Sequence, residues 1–310
     1  MRIHIFFFAL LLWSCDSVEK INSTTFFPPV KALDGQLLLP DSLFVNPRND
    51  SLLQIARLNY VHNPLDTQNI IWMARRLGYV WRYQEAIDTL TAGLNRYPES
   101  AELLRHRGHR HLTVRNFEAA VRDLEKAGNL AKNLPITIEP DGQPNTRNIP
   151  LSTLQFNIWY HWGLAHYLQG HWSEAAKIYE ECMAISTNPD LLVATADWLY
   201  MTYRRMNEPK KAARLLASIP DTLQLIENET YYNRIKMYKG LTQPQDLLNF
   251  NPATAEDELN TVTQGYGVAN YFLYSGDTLK AKDLLQQVTA TRYWAAFGYL
   301  AAEADLVSLK

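Results

Sequence analysis

Residues 67–134 state one pattern twice. Shifted by 34 residues, Tyr83 falls on Phe117, Ala86 on Ala120, Leu90 on Leu124, Gly93 on Ala127, and Ala74 on Gly108. A period of this length, with small residues at fixed crossings, is the mark of a repeating helix–turn–helix unit. Two helices approach closely only where the facing side chains are short, hence the recurring Ala and Gly. One such unit cannot bury its apolar face alone and must stack on its neighbours. The period therefore predicts an all-α protein, an α-solenoid of stacked antiparallel helix pairs.

The beat continues along the chain. Units are expected near residues 67–100 and 101–134, then near 156–189 with Trp159, Trp162, Gly163, His166, Gly170, Trp172, Ala175, Tyr179 and Cys182 in phase. Residues 193–220 and 262–290 carry two more. Ala212 to Ala281 is 69 residues, which leaves room for a degenerate unit near 225–258 with helices over 229–238 and 244–250. Ala120 to Ala175 exceeds one period by 21 residues, and the excess falls at 135–155. Pro135, Pro140, Pro144, Pro150 and the pair Asp141-Gly142 make that stretch a loop. Such an insertion emerges on one face of the array, often the binding face, and equally often is a tolerated surface loop. Residues 51–61 read as a first helix capped by Asp50 or Ser51. Residues 292–307 read as a capping helix whose Ala295, Ala296, Ala301 and Ala302 pack inward while Glu303 and Asp305 face water.

This plan resembles the tetratricopeptide repeat (TPR) family over residues 67–288. The resemblance implies a right-handed superhelix whose first helices in each pair line a concave groove where peptides dock. Carried onto this sequence, the groove wall is Arg75 and Tyr79; Arg105 and His109; Tyr160, Leu164 and Tyr167; Asp197, Met201 and Arg204; and Tyr266, Asn270 and Tyr274. Arg and Tyr anchor interfaces through large area and forked hydrogen bonds. The implied occupant is an extended or helical segment carrying carboxylates. The Lys and Asn set of the family's carboxylate clamp is not found. Arg107 stands where the family has an aliphatic residue. His111 and His166 stand where it has a tyrosine, and are expected as packed, hydrogen-bonded core residues.

Residues 1–14 have the form of a secretory signal. Arg2 gives positive charge, and the apolar run 5–13 is too short to span a bilayer. Leu12-Trp13-Ser14-Cys15 resembles the bacterial lipobox, with Trp13 departing from its usual small residues. The resemblance implies acylation of Cys15, with palmitate among the chains, and stable anchoring to the inner or outer membrane. Residues 15–46 then form a tether, apolar enough at Phe26, Phe27 and residues 37–39 to lie partly along a solenoid spanning 47–310. With Cys15 acylated, Cys182 stands alone and no intramolecular disulfide forms.

The formal net charge of −2 predicts no general affinity for nucleic acid. Its distribution is uneven. Residues 67–134 hold 11 Lys/Arg against 7 Asp/Glu, and residues 252–310 hold 4 against 7. This is either ordinary surface variation or a polarised solenoid that steers an acidic partner to its N-terminal half. Chemistry-bearing motifs are missing. There is no His-Glu-x-x-His, no cysteine pair, no Gly-x-Ser-x-Gly and no Gly-Lys-Ser/Thr, so no cofactor is implied. The expected function is a non-enzymatic scaffold of the bacterial cell envelope that binds another envelope protein. A glycan- or nutrient-capture lipoprotein is the alternative, and a metal-dependent enzyme ranks last.

Overall fold

The structure, a computed structural model, describes residues 29–309. The expected signal segment, Cys15 and the first part of the expected tether lie outside the described residues.

Thirteen α-helices occur among them. Helix α1 covers Pro47–His62, and antiparallel pairs follow: α2 (Thr67–Tyr79) with α3 (Tyr83–Arg96), α4 (Ala101–Thr113) with α5 (Phe117–Ala131), α6 (Leu154–Tyr167) with α7 (Trp172–Ala184), and α8 (Pro189–Arg205) with α9 (Pro209–Ser218). The chain continues through α10 (Glu229–Tyr238), the pair α11 (Ala255–Tyr274) and α12 (Thr278–Thr289), and α13 (Phe297–Ser308). Each pair packs on the next, which makes the molecule an α-solenoid. A two-residue hairpin, β1 (Val30–Lys31) and β2 (Leu37–Leu38), precedes it, with Val30 opposite Leu38 and Lys31 opposite Leu37.

Local chemistry fixes the helix starts. Asp66, Ser100, Thr153, Asn188 and Thr254 each accept a hydrogen bond from a first-turn N–H, satisfying a donor the helix cannot satisfy itself. Helix α1 begins earlier than the sequence suggested. Asn46 caps it and Pro47 opens it, whereas Asp50 and Ser51 lie inside the first turn and a half. The small residues of the 34-residue pattern are sealed: Ala74, Ala86, Ala120, Ala127 and Ala175 expose at most 1%. In the degenerate unit, the second expected helix is only a 3-10 turn at Pro244–Leu247.

The turn inside each pair places one residue in the left-handed region. These are Trp81 (φ 65°), Arg115 (64°), Gly170 (73°), Asn207 (56°), Gly240 (76°) and Gly276 (93°). Glycine takes this conformation freely. Trp81 and Arg115 do not, and both are held by contacts to the C-terminal segment.

That segment departs most from expectation. Helix α13 begins at Phe297, and Arg292–Ala296 are not helical. Glu303 and Asp305 do not face water: they are 6% and 4% exposed. Arg115 Nη2 lies 2.8 Å from Glu303, and Arg205 Nη2 lies 2.9 Å from Asp305. A helix of small residues is thin enough to lie against α11 and α12, and its two carboxylates reach guanidinium groups across the superhelix.

Candidate partner-binding groove

The concave wall is built and, in this structure, occupied by the chain's own C-terminal segment. Trp294 packs on Trp81 (4.9 Å between ring centroids) and Tyr83 (5.6 Å), and its Nε1 donates to the Leu39 carbonyl at 2.8 Å. Tyr293 stacks on Phe44 at 4.4 Å. Phe297 enters among His109 (5.5 Å), His161 (5.4 Å) and Tyr160 (6.3 Å). Glu303 also accepts from the Leu33 backbone N–H, so the N-terminal hairpin, the α4–α5 turn and α13 meet at one carboxylate. Arg115 completes the junction by donating to the Trp294 and Thr113 carbonyls at 2.9 and 2.6 Å.

Eight of the thirteen wall positions read from the sequence are covered by other parts of the chain, the C-terminal segment and α10 among them. Arg105, Tyr160, Leu164, Tyr167, Asp197, Met201, Tyr266 and Asn270 are buried, so none of them presents an open surface. Four-residue spacing assigns residues to a helix face, but a face does not reveal what covers it. Asp197 and Arg234, both 0% exposed, form an ion pair inside the wall, and Arg234 Nη2 also reaches Met201 Sδ at 3.1 Å. Tyr167 and Tyr266 share a hydroxyl hydrogen bond of 2.7 Å, Asn270 Nδ2 donates to Tyr266 at 3.0 Å, and Tyr266 donates to Asp305 at 3.1 Å. Trp198 Nε1 donates to the Tyr160 hydroxyl at 2.8 Å, and that hydroxyl donates to Tyr231 at 3.1 Å. Burial pushes the Tyr160 and Tyr266 hydroxyls well above their ordinary range. They stay neutral, and Tyr266 donates to the same carboxylate that Arg205 pairs with.

Arg75, Tyr79, His109, Arg204 and Tyr274 are half-buried. Arg204 lies 4.1 Å above the Tyr274 ring beside the stacked pair Tyr200–Tyr238. His109 stacks on His161 at 4.3 Å. Burial, then the charge of Arg110, pulls His109 well below the usual histidine range; burial, then Arg105, brings His161 down to about 3. Both rings are therefore neutral near pH 7. His111 and His166 are half-buried; His166 Nε2 accepts from Trp162 at 3.1 Å, while Nδ1 of each has no partner. Arg107 donates twice to Asp123, both at 2.7 Å, an ion pair between α4 and α5 that replaces an aliphatic contact.

The insertion 135–155 is a strap lying against the wall residues of α2 and α4. Arg75 Nη1 donates to the Pro140 carbonyl at 2.8 Å and Arg76 Nη1 to the Gly142 carbonyl at 3.0 Å. Arg105 Nη2 lies 3.0 Å from Glu139, whose other oxygen accepts from Asn157 at 3.1 Å. Asn145 Nδ2 reaches Glu227 at 2.6 Å. Gly142 sits so close to Tyr79 that a Cβ there would overlap its hydroxyl. Beneath the strap, Arg75, Arg105, Arg110, Tyr79, His106 and His109 line a cavity of about 100 Å³. Sequence reasoning missed Arg115, Arg205, Arg234, Glu139, Glu303 and Asp305. The opposed charges of residues 67–134 and 252–310 were the one signal that pointed to some of them.

Among the described residues, no group of three or more His, Cys, Asp or Glu is placed to hold a metal ion. No described helix is long and apolar enough to cross a membrane.

No protein-family model matches the chain. No curated protein matches it either. Solved structures do. One holds nearly identical TPR-like repeats from a Podosopora anserina chain assigned as a kinesin light chain; it is 16% identical, covers 74% of this chain and 95% of its own, and has a TM-score of 0.43. A single-substitution form of the same protein gives 16% identity, 73% and 94% coverage, and a TM-score of 0.44. The structure of Naa15/Naa10 bound to HypK-THB gives 14% identity over 85% of this chain and 37% of that one, with a TM-score of 0.37. The chain's own helix pairs make the fold an α-solenoid.

Proposed function

We propose that this chain is a non-enzymatic protein-binding scaffold of the bacterial cell envelope, held to a membrane by lipid on Cys15, whose concave wall receives a helical segment carrying carboxylates. The observation that carries this reading is α13. The wall already holds a helix of that chemistry, with Glu303 on Arg115, Asp305 on Arg205 and Phe297 among the rings of α4 and α6. A segment of another envelope protein with the same spacing of carboxylates and an aromatic residue competes with α13 for these contacts. The resident helix keeps the wall closed until such a partner arrives.

The test is photo-cross-linking in living cells from Tyr79 and Arg204, in the natural chain and in a Glu303→Gln form that loosens α13. The expected result is one reproducible protein neighbour, captured more efficiently from the loosened form. No reproducible neighbour, together with strong hits on a glycan array, favours nutrient capture instead. Cys15→Ala is expected to release the protein from membranes, and unchanged membrane association removes the anchor.

A further inference from the structure

We propose that the cavity beneath the strap is a binding site for a small free oxyanion, of the class of phosphate, sulfate or a short carboxylate, held by Arg75, Arg105 and Arg110. Its wall contains three guanidinium groups and no carboxylate. Glu139 meets Arg105 from the strap, and Asp141 lies near Arg75. Glu102 stands beside Glu139 and is half-buried. Arg110 has no carboxylate partner among the described residues: its neighbours are His109 Nδ1 at 3.0 Å, the face of Tyr83 at 5.6 Å, Tyr79 and Tyr293. The two histidines in the wall are pulled well below their usual range by burial and the arginines, so they add no charge near pH 7.

Arg105 supplies the second observation. It is 7% exposed, it lines the cavity, and its Nε has no hydrogen-bond partner. Its Nη2 pairs with Glu139 and its Nη1 lies 3.0 Å from His106 Nδ1, so its guanidinium is held rigidly at the cavity wall beside the carboxylate-free Arg110, where a charge-assisted bond to an oxyanion adds the missing negative charge. Three forked donors from α2 and α4 surround a space of about 100 Å³, several times the minimum for one water. The strap crosses beside it at Glu139–Gly142, and Phe297 stands against His109. These walls suit a small ion rather than a polypeptide, although the site shares Arg75, Tyr79, Arg105 and His109 with the helix-binding wall.

The experiment titrates the purified chain with inorganic phosphate, sulfate and succinate by calorimetry, at constant ionic strength with chloride as reference. The expected result is saturable binding of one equivalent of at least one of them. Saturation by phosphate or sulfate alone identifies a tetrahedral ligand, and saturation by succinate alone a carboxylate. Arg110→Gln is expected to weaken binding about tenfold or more, the loss of one charge-assisted hydrogen bond. Arg122→Gln, at an exposed position on α5, is expected to leave it unchanged. If Arg110→Gln does not fold, Arg75→Lys takes its place with the same expectation, since lysine keeps the charge and loses the fork. No saturation by any of the three ions overturns the proposal. So does an equal loss in Arg122→Gln, which marks diffuse charge attraction.

Discussion

Replacing Glu303 by Gln tests whether the occupied wall is held by charge. Glu303 accepts from Arg115 Nε at 3.0 Å and Nη2 at 2.8 Å, and the two side chains are 7% and 3% exposed. Gln keeps the shape and one carbonyl acceptor but removes the charge, leaving a buried guanidinium uncompensated. Breaking a buried pair this way costs about 3–5 kcal/mol. At about 1.4 kcal/mol per tenfold, local opening of the junction rises on the order of a hundred- to several-thousand-fold; the retained carbonyl favours the lower end. Amide hydrogen exchange reads this directly, because protection reports the free energy of local opening. Helix α13 and the hairpin 30–38 share Glu303 and are expected to lose protection together, while α6 and α7 keep theirs. Adding Arg115→Asn, a residue that tolerates the left-handed turn, removes the orphaned charge and is expected to recover part of the loss. Glu118→Gln is the control: its pair with Arg122 spans 4.0 Å at 84% and 68% exposure, and such pairs contribute little. Exchange of α13 within about threefold of the natural chain in Glu303→Gln would refute the reasoning.

Three further outcomes follow from the interior. Cys182 is fully buried and burial pushes its thiol up to about 12, so N-ethylmaleimide is expected to spare it at neutral pH and to modify it fully in denaturant, read by peptide mass. His106, His109 and His161 all lie below the ordinary value of 6.5 when folded, His161 at about 3. The unfolded chain therefore binds more protons below about pH 6.5, so stability present above that pH is lost as pH falls toward 3. The midpoint in urea is expected to drop across that window, and His161→Phe should flatten the slope. Gly163→Ala places a methyl group 2.7–2.9 Å from the Tyr179 ring, an overpacking expected to cost about 1–3 kcal/mol by denaturant melt, with no measurable change refuting the close contact.

The helical architecture was legible because its signal is local and repeated. Ala86 and Ala120 must be small for the same reason, and the period shows it twice. The left-handed turns were half visible: Gly170 and Gly276 announce them, while Trp81 and Arg115 conceal them. What covers the wall was not legible. Arg115 and Glu303 are 188 residues apart, and no periodicity connects them. Glu303 and Asp305 sit two apart on a helix, the spacing of a solvated flank, and only partners from distant turns make them interior. Asp197 and Met201 mark one stripe correctly, yet nothing in their spacing tells that Arg234 arrives from α10 to seal it. The imbalance of charge between the two ends was the available clue. It describes an attraction the chain satisfies internally through Arg115 and Glu303.

Trp81 and Arg115 are the two places where a turn carries a bulky residue at positive φ, a conformation that costs about 1–2 kcal/mol outside glycine. Those same side chains meet Trp294 and Glu303. A designer who idealised each repeat by installing glycine at 81 and 115 would improve every hairpin taken singly. The product would be a sturdier row of units with its two ends no longer joined.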